Sequence, residues 1–434
     1  MASEILGLNF SGGKPRLKRI IGRMTPGPPK PYGKCITAEK IGGVISLSLF
    51  LLPFSKTLSE AGLILALVLW IFSKIQKKET LFPLDAVSVA YFLFLTTVLL
   101  SLTQVSQGLW GSPQTLRGVW KWFKYLAIFW MCRDIFKEPK TVKPLVMVFL
   151  ISMACVTVNG LVQMWQGTDW IKHYSVDIPG RFVRMRSAFG SPNDLACFYL
   201  LALPLIFQAW LEEKKWSWRS ALLAGGMGIF FTAFILTLSR SAFLAVLGAV
   251  FLYLVLVGNK KIIGLFLLAT ALFLWPQGLI RENFVTSLKP QDITVGERLQ
   301  TWRQGWELIK EKPILGHGPN TYFKEFAAHA PTNEEYRGYA HNFLIQIWSD
   351  LGVVGLALFL FPLFYGLSKK SSWKAKETAR SLSVMAALWI GLVAFLIQGL
   401  WDTNFFAFQT THLFWVFWGV FNAPATGSRG QVLT

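Results

Sequence analysis

Arginines and histidines at the borders of apolar blocks are the residues here whose types and spacing could do chemistry. Arg184 and Arg186 stand in "PGRFVRMRSAFGSPNDLACFYL", just before a Gly-Ser-Pro turn, and Pro192 with Asn193 and Asp194 reads as a helix start. Arg240 lies in the tight turn "TLSRSAF" between two apolar blocks. Arg298 and Arg303 belong to "TVGERLQTWRQGWELIKEKPILGHGPN". A guanidinium fork matches phosphate oxygens, so such a set suits a phosphate or diphosphate carried on a lipid. The plainer reading is snorkelling to lipid phosphates. His341 stands at the re-entry point "GYAHNFLIQIWSDLGVVGLALF", where an imidazole can take a proton near neutral pH. Its plainer reading is a hydrogen-bonded histidine at a helix cap. His317 and His329 are weaker candidates, His173 lies near the basic run at 181–186, and His412 reads as structural.

No DxD, HExxH or P-loop motif occurs. Isolated carboxylates (Asp169, Asp177, Glu282, Glu297 and Asp402) could still meet in space. The pattern disfavours a metal-assisted reaction, and arginines can then supply the charge stabilisation a divalent ion gives elsewhere. Four cysteines without a CxxC pair do not suggest a disulfide or zinc framework.

The elements that must position these groups are membrane helices. Of 434 residues, 53% are hydrophobic and 15% charged, against about one quarter charged in soluble chains. Mean hydropathy is +0.44. A soluble enzyme, a disordered chain and a disulfide scaffold are excluded. About 20 apolar residues make a span. On that rule twelve are expected, at 39–55, 59–74, 83–103, 116–133, 144–165, 193–211, 219–238, 241–258, 261–276, 343–367, 380–400 and 407–423. The first two are short enough to be one re-entrant pair. Lys121 and Lys124 blur the fourth.

Lys and Arg exceed Asp and Glu by 43 − 23 = 20, which favours an anionic ligand once loop charges that set topology are discounted. Every second loop is basic, as at Lys74, Lys77 and Lys78, or Lys260 and Lys261, which puts both termini on the cytoplasmic side. The expected organisation is a basic, disordered tail (1–38), helices 1–9 (39–276), an outer loop domain (277–342), helices 10–12 (343–423) and a second cytoplasmic tail (424–434). Within the loop domain Leu299, Trp302, Trp306 and Ile309 recur at helical spacing.

From His341 the chain resembles the signature of the O-antigen ligase and polymerase superfamily: His341-Asn342, nine residues to Leu351, then Gly352-Val353-Val354-Gly355. Those glycines would allow close helix packing below the site. "RMRSAFGSPNDLA", "TLSRSAFLA" and "ERLQTWRQGWELIKEKPILGHGPNTYF" resemble the family in the same order. The resemblance implies an all-α polytopic glycosyltransferase of the GT-C type in the bacterial inner membrane, its active site facing the periplasm. It implies a glycan donor linked to undecaprenyl diphosphate and, for ligases, a sugar hydroxyl of the lipid A core as acceptor. The proposed ligase mechanism is metal-independent and inverting, with no cofactor. Membrane lipids are expected partners and nucleic acid is not. On this chain the resemblance makes His341 the base and Arg240, Arg298 and Arg186 the diphosphate ligands, with Arg184, Arg303 and Asn342 as further substrate-binding candidates. A polymerase sharing the donor is the alternative. A lipid-linked oligosaccharide transporter would need midplane charges and two similar halves, which the sequence lacks.

Overall fold

The computed structural model describes residues 36–106, 111–176, 183–213, 216–258, 260–274, 293–322, 324–325, 339–369 and 383–424. Among them are thirteen α-helices and no β-strand. In chain order these are α1 (Ala38–Leu51), α2 (Lys56–Lys77), α3 (Ala86–Leu100), α4 (Pro113–Ile135), α5 (Pro139–Gln166), α6 (Pro192–Glu212) and α7 (Trp218–Leu236). They continue with α8 (Arg240–Val257), α9 (Lys260–Leu274), α10 (Ile293–Glu311), α11 (Phe343–Lys369), α12 (Val384–Gln398) and α13 (Phe408–Phe421). A 3-10 turn, Ser101–Gln104, extends α3. The tails at 1–35 and 425–434, His329, Asp177, Glu282 and much of the expected 277–342 domain lie outside the described residues.

The chain marks its own helix starts. Ser55, Asp85, Ser112, Ser191, Ser217 and Ser383 each accept a backbone N–H of the following first turn. Pro113 and Pro192 occupy first helical positions, where a missing N–H costs nothing. The helix start read at Pro192 is therefore capped by Ser191.

Among the described residues seven helices are long and apolar enough to cross a membrane: α2, α3 with its 3-10 turn, α5, α6, α7, α8 and α11. α2 has 22 residues, about 33 Å at 1.5 Å per residue, so the second block is long enough to cross, whereas α1 in the first block has 14. Helices also cover the other five expected blocks. α1, α9, α12 and α13 have 14, 15, 15 and 14 residues. α4 is long, but its charges spoil the hydropathy. Those charges have partners: Lys124 lies 2.5 Å from Glu60, Arg133 donates to Asp85, and Lys121 Nζ sits 3.8 Å from the Phe406 ring centre.

The core gathers around α12 and α13, where almost every α13 side chain is buried. α13 packs on α4, and α12 on α6 and α8. Glycines let backbones approach here. A Cβ on Gly419 would lie 2.7 Å from the Phe129 carbonyl oxygen, and one on Gly391 would lie 3.0 Å from that of Leu200.

Gly352 serves a different purpose from the helix packing expected of it. It breaks α11 with φ 70° and ψ 178°. A Cβ there would stand 1.9 Å from the Ile314 carbonyl oxygen. The break lets the loop after α10 bond edge-on to α11. Val353 N donates to the Pro313 carbonyl, and His317 N and Gly318 N donate to those of Ser349 and Asp350. Backbone groups freed by the break are thereby satisfied.

Candidate active site

His341 is held from both sides. It adopts a left-handed φ of 49°, uncommon for a residue with a Cβ and frequent at functional positions. Ala340 N donates to Gln346 Oε1 at 2.9 Å, and Phe343 N donates to the Gly399 carbonyl at 3.0 Å. Asn342 caps α11: its Oδ1 accepts from Leu344 N at 2.9 Å and Ile345 N at 3.2 Å. The side-chain oxygen of Asn342 is thus occupied by the helix start.

The turn after α12 brings Asp402 to His341. Asp402 Oδ1 lies 3.8 Å from His341 Nδ1, an ion-pair distance rather than a hydrogen bond. Asp402 is buried, while the His341 side chain is 38% exposed. Oδ1 also accepts from Thr403 N, while Oδ2 is buried without a hydrogen-bond partner. Burial alone would push this carboxyl up. The His341 imidazole and the Arg298 charge on α10 outweigh it and hold Asp402 below the usual carboxylate range. Three segments far apart in sequence, at 298, 341 and 402, therefore share one electrostatic centre.

A second group lies on the adjoining loops. Arg184 Nε donates to the Thr237 carbonyl at 2.8 Å, and Nη2 to Asn193 Oδ1 at 2.8 Å. Met185 N bonds to the Leu236 carbonyl, so this strip is sewn to the end of α7 and the start of α6. Arg240 opens α8 three residues after Thr237 and is half-buried. The Asn193 carbonyl accepts from Gln398 Nε2, which ties the strip to the end of α12, four residues before Asp402. Asp194, in the first turn of α6, is within electrostatic reach of both Asp402 and Lys56.

Arg186 lies over the Tyr174 ring at 4.6 Å, its Nη1 reaches the Gly190 carbonyl at 3.4 Å, and its Nε is buried without a hydrogen-bond partner. Asp169 holds the backbone of Tyr174. Its carboxylate accepts from the N–H groups of Ile171, Lys172 and Tyr174 at 2.9, 2.8 and 2.6 Å, and from Asn159 Nδ2 at 3.3 Å. Burial raises the Asp169 carboxyl, but these bonds prevail and set it below the ordinary value. Lys172 Nζ donates to the carbonyls of Ala188 at 2.7 Å and Pro53 at 3.1 Å, and burial together with nearby Lys56 lowers its pKa.

Lys56 and Lys172 thus belong to the cationic group, although sequence reading gave neither a site role. Lys56 is the first residue of α2, three positions after Pro53, whose carbonyl accepts from Lys172. Arg303 is the candidate the fold does not bring in. It lies five residues beyond Arg298, roughly 140° around α10, and is exposed. His317 is buried, with Nε2 2.9 Å from the Leu308 carbonyl, and burial lowers its pKa. His412 is buried in α13 against the Phe408 carbonyl. His173 is exposed, with φ 55°. Among the described residues no three His, Cys, Asp or Glu side chains gather as metal ligands.

No curated protein matches the chain. A family model does, over residues 225–360, and its description is O-antigen ligase. The segment runs from within α7 to within α11 and includes Arg240, Arg298 and His341. Arg184, Arg186, Lys56, Lys172 and Asp402 lie outside it. Over residues 225–360 the chain therefore matches the O-antigen ligase family, the one its His341 motif resembles.

Proposed function

We propose that this protein is an inner-membrane O-antigen ligase. In this reading it moves a glycan from undecaprenyl diphosphate to a sugar hydroxyl of the lipid A core, at a periplasm-facing site with both termini cytoplasmic. The observation that carries the proposal is the meeting of His341, Asp402 and Arg298 beside a separate cationic group of Arg184, Arg186, Lys56 and Lys172. One side offers a base with an anionic partner. The other offers positive charge for a diphosphate.

The chemistry follows as one displacement. The acceptor hydroxyl oxygen forms a bond to the anomeric carbon as the bond from that carbon to the diphosphate oxygen breaks. The hydroxyl proton passes to His341, and undecaprenyl diphosphate leaves with the electron pair. Attack opposite the leaving group inverts the anomeric centre. Nδ1 of His341 faces Asp402, so Nε2 is the atom for the acceptor. Asp402 stabilises the imidazolium as it forms, a role familiar from carboxylate–histidine pairs. Arg298, Arg240 and Arg186 neutralise the charge that grows on the departing diphosphate. The sugar–phosphate bond is already activated, so the step needs no nucleotide.

The test is transfer in vitro with lipid-linked glycan and lipid A core, with and without EDTA. His341→Ala should lose about 10²–10⁴-fold in rate, the usual range for a general base. Full activity in that variant ends the base assignment, and EDTA sensitivity of the wild type ends the metal-independent reading. Gene deletion separates the ligase from a polymerase on the same donor. Loss of a ligase leaves long glycans on the carrier, and loss of a polymerase leaves single repeats on the core.

A further inference from the structure

The outer face of α10 exposes a leucine and a tryptophan among its charged residues. The buried face consists of Thr301, Gly305, Leu308 and Ile309, with Leu308 packed beside Tyr322, Ala340 and Ile345. Leu299, Arg303, Trp306 and Lys310, at spacings of four, three and four, form the opposite stripe and are all exposed. Leu299 is 46% and Trp306 45% exposed, and Ile314 just beyond the helix is 63% exposed.

This stripe adjoins an exposed apolar side of α11. α11 is long and apolar enough to cross the membrane, and Val353 and Val354 lie on its outward side, 43% and 38% exposed. The Ile314 carbonyl is 3.5 Å from Val354 N. Trp348 bonds through its indole N–H to the Pro313 carbonyl, and its ring meets Trp306 edge-on at 5.6 Å. Bonds and a ring contact link Val354, Ile314, Trp348 and Trp306, and Leu299 follows two turns away on the exposed stripe, beyond Arg303. From the break at Gly352 to Lys369, α11 is about 27 Å long, close to the hydrocarbon thickness of a bilayer. A span of that length would put the break, and the loop bonded to it, at a membrane boundary. Tryptophan, leucine and isolated cations on one helix face are what such a boundary holds.

We propose that α10 is an interfacial helix whose Leu299–Trp306–Ile314 stripe lies in the headgroup layer of the leaflet on the His341 side, with Arg303 on lipid phosphate. The occupant is the phospholipid surface itself. This accounts for Arg303 pointing away from the catalytic centre. It also gives Arg298, on the same helix, a position fixed by the membrane as well as by α11. The proposal needs no particular reaction.

The full chain is reconstituted in nanodiscs of phosphatidylethanolamine and phosphatidylglycerol, with Cys35 and Cys155 changed to serine. A nitroxide is placed by Leu299→Cys, Trp306→Cys or Ile314→Cys, with Glu307→Cys as the water-facing control. Relaxation by oxygen and by an aqueous nickel chelate is then compared. Oxygen-to-nickel accessibility several-fold higher at 299, 306 and 314 than at 307 supports the proposal. Equal ratios overturn it. So does shielding of the three sites from both agents, which would mean that protein covers them. Should Trp306→Cys fail to fold, Ile314→Cys, the most exposed of the three, decides alone.

Discussion

His341 and Asp402 show how little a side chain can do by itself. The imidazole gains an anionic partner, a carboxylate oxygen 3.8 Å from its Nδ1, only because the turn after α12 reaches it. Asp402→Asn keeps the shape and removes the charge. It should lower transfer by about 10²–10⁴-fold while donor affinity changes little, checked by steady-state kinetics. In the proposed reaction Tyr174 is a positioning residue, acting through Arg186, which lies 4.6 Å from its ring centre. Tyr174→Leu should raise the donor KM by roughly 2- to 30-fold, matching about 0.5–2 kcal/mol for a cation–π contact, and Tyr174→Phe should restore it. Asp169 supplies a pH test. Its folded pKa lies below the ordinary aspartate value, so the stability it contributes is present above that value. That contribution disappears as pH falls through the folded pKa. Asp169→Asn should cost about 1–3 kcal/mol near neutral pH, and melting curves should converge with wild type below about pH 4.

At the scale of elements, the break in α11 is the feature to perturb. Gly352 has a backbone that only glycine adopts readily and no room for a Cβ. Gly352→Ala should therefore destabilise by at least about 1–3 kcal/mol and release the loop from Pro313 to Gly318, seen as a lower melting temperature and faster hydrogen exchange there. Gly228 in α7 is the control, since nothing lies within 4 Å of a Cβ there. Gly228→Ala should be neutral or stabilising by about 0.5–1 kcal/mol, as expected for a helix interior. The α10 stripe carries the same lesson. Leu299, Trp302, Trp306 and Ile309 have one period, yet the structure splits them, burying Ile309 and exposing Leu299 and Trp306. Periodicity identifies a helix; whether its apolar side meets protein or lipid depends on its neighbours.

Over the whole molecule, the sequence by itself determined the all-helical architecture of a multi-pass membrane chain. Apolar blocks and capping residues are local properties, so they are legible one segment at a time. α4 was legible only in part, because Lys121, Lys124 and Arg133 look polar until Phe406, Glu60 and Asp85 are placed beside them. His341, Arg298, Arg240, Arg184 and Arg186 were legible as residue types beside or between apolar blocks. What the tertiary structure alone decided was which of them meet. Asp402 is 61 positions from His341, and Lys56 is 116 positions from Lys172. Helix packing around α12 and α13 sets those distances. Electrostatic coupling falls off over a few ångströms of space whatever the separation along the chain, so no spacing rule could have paired them.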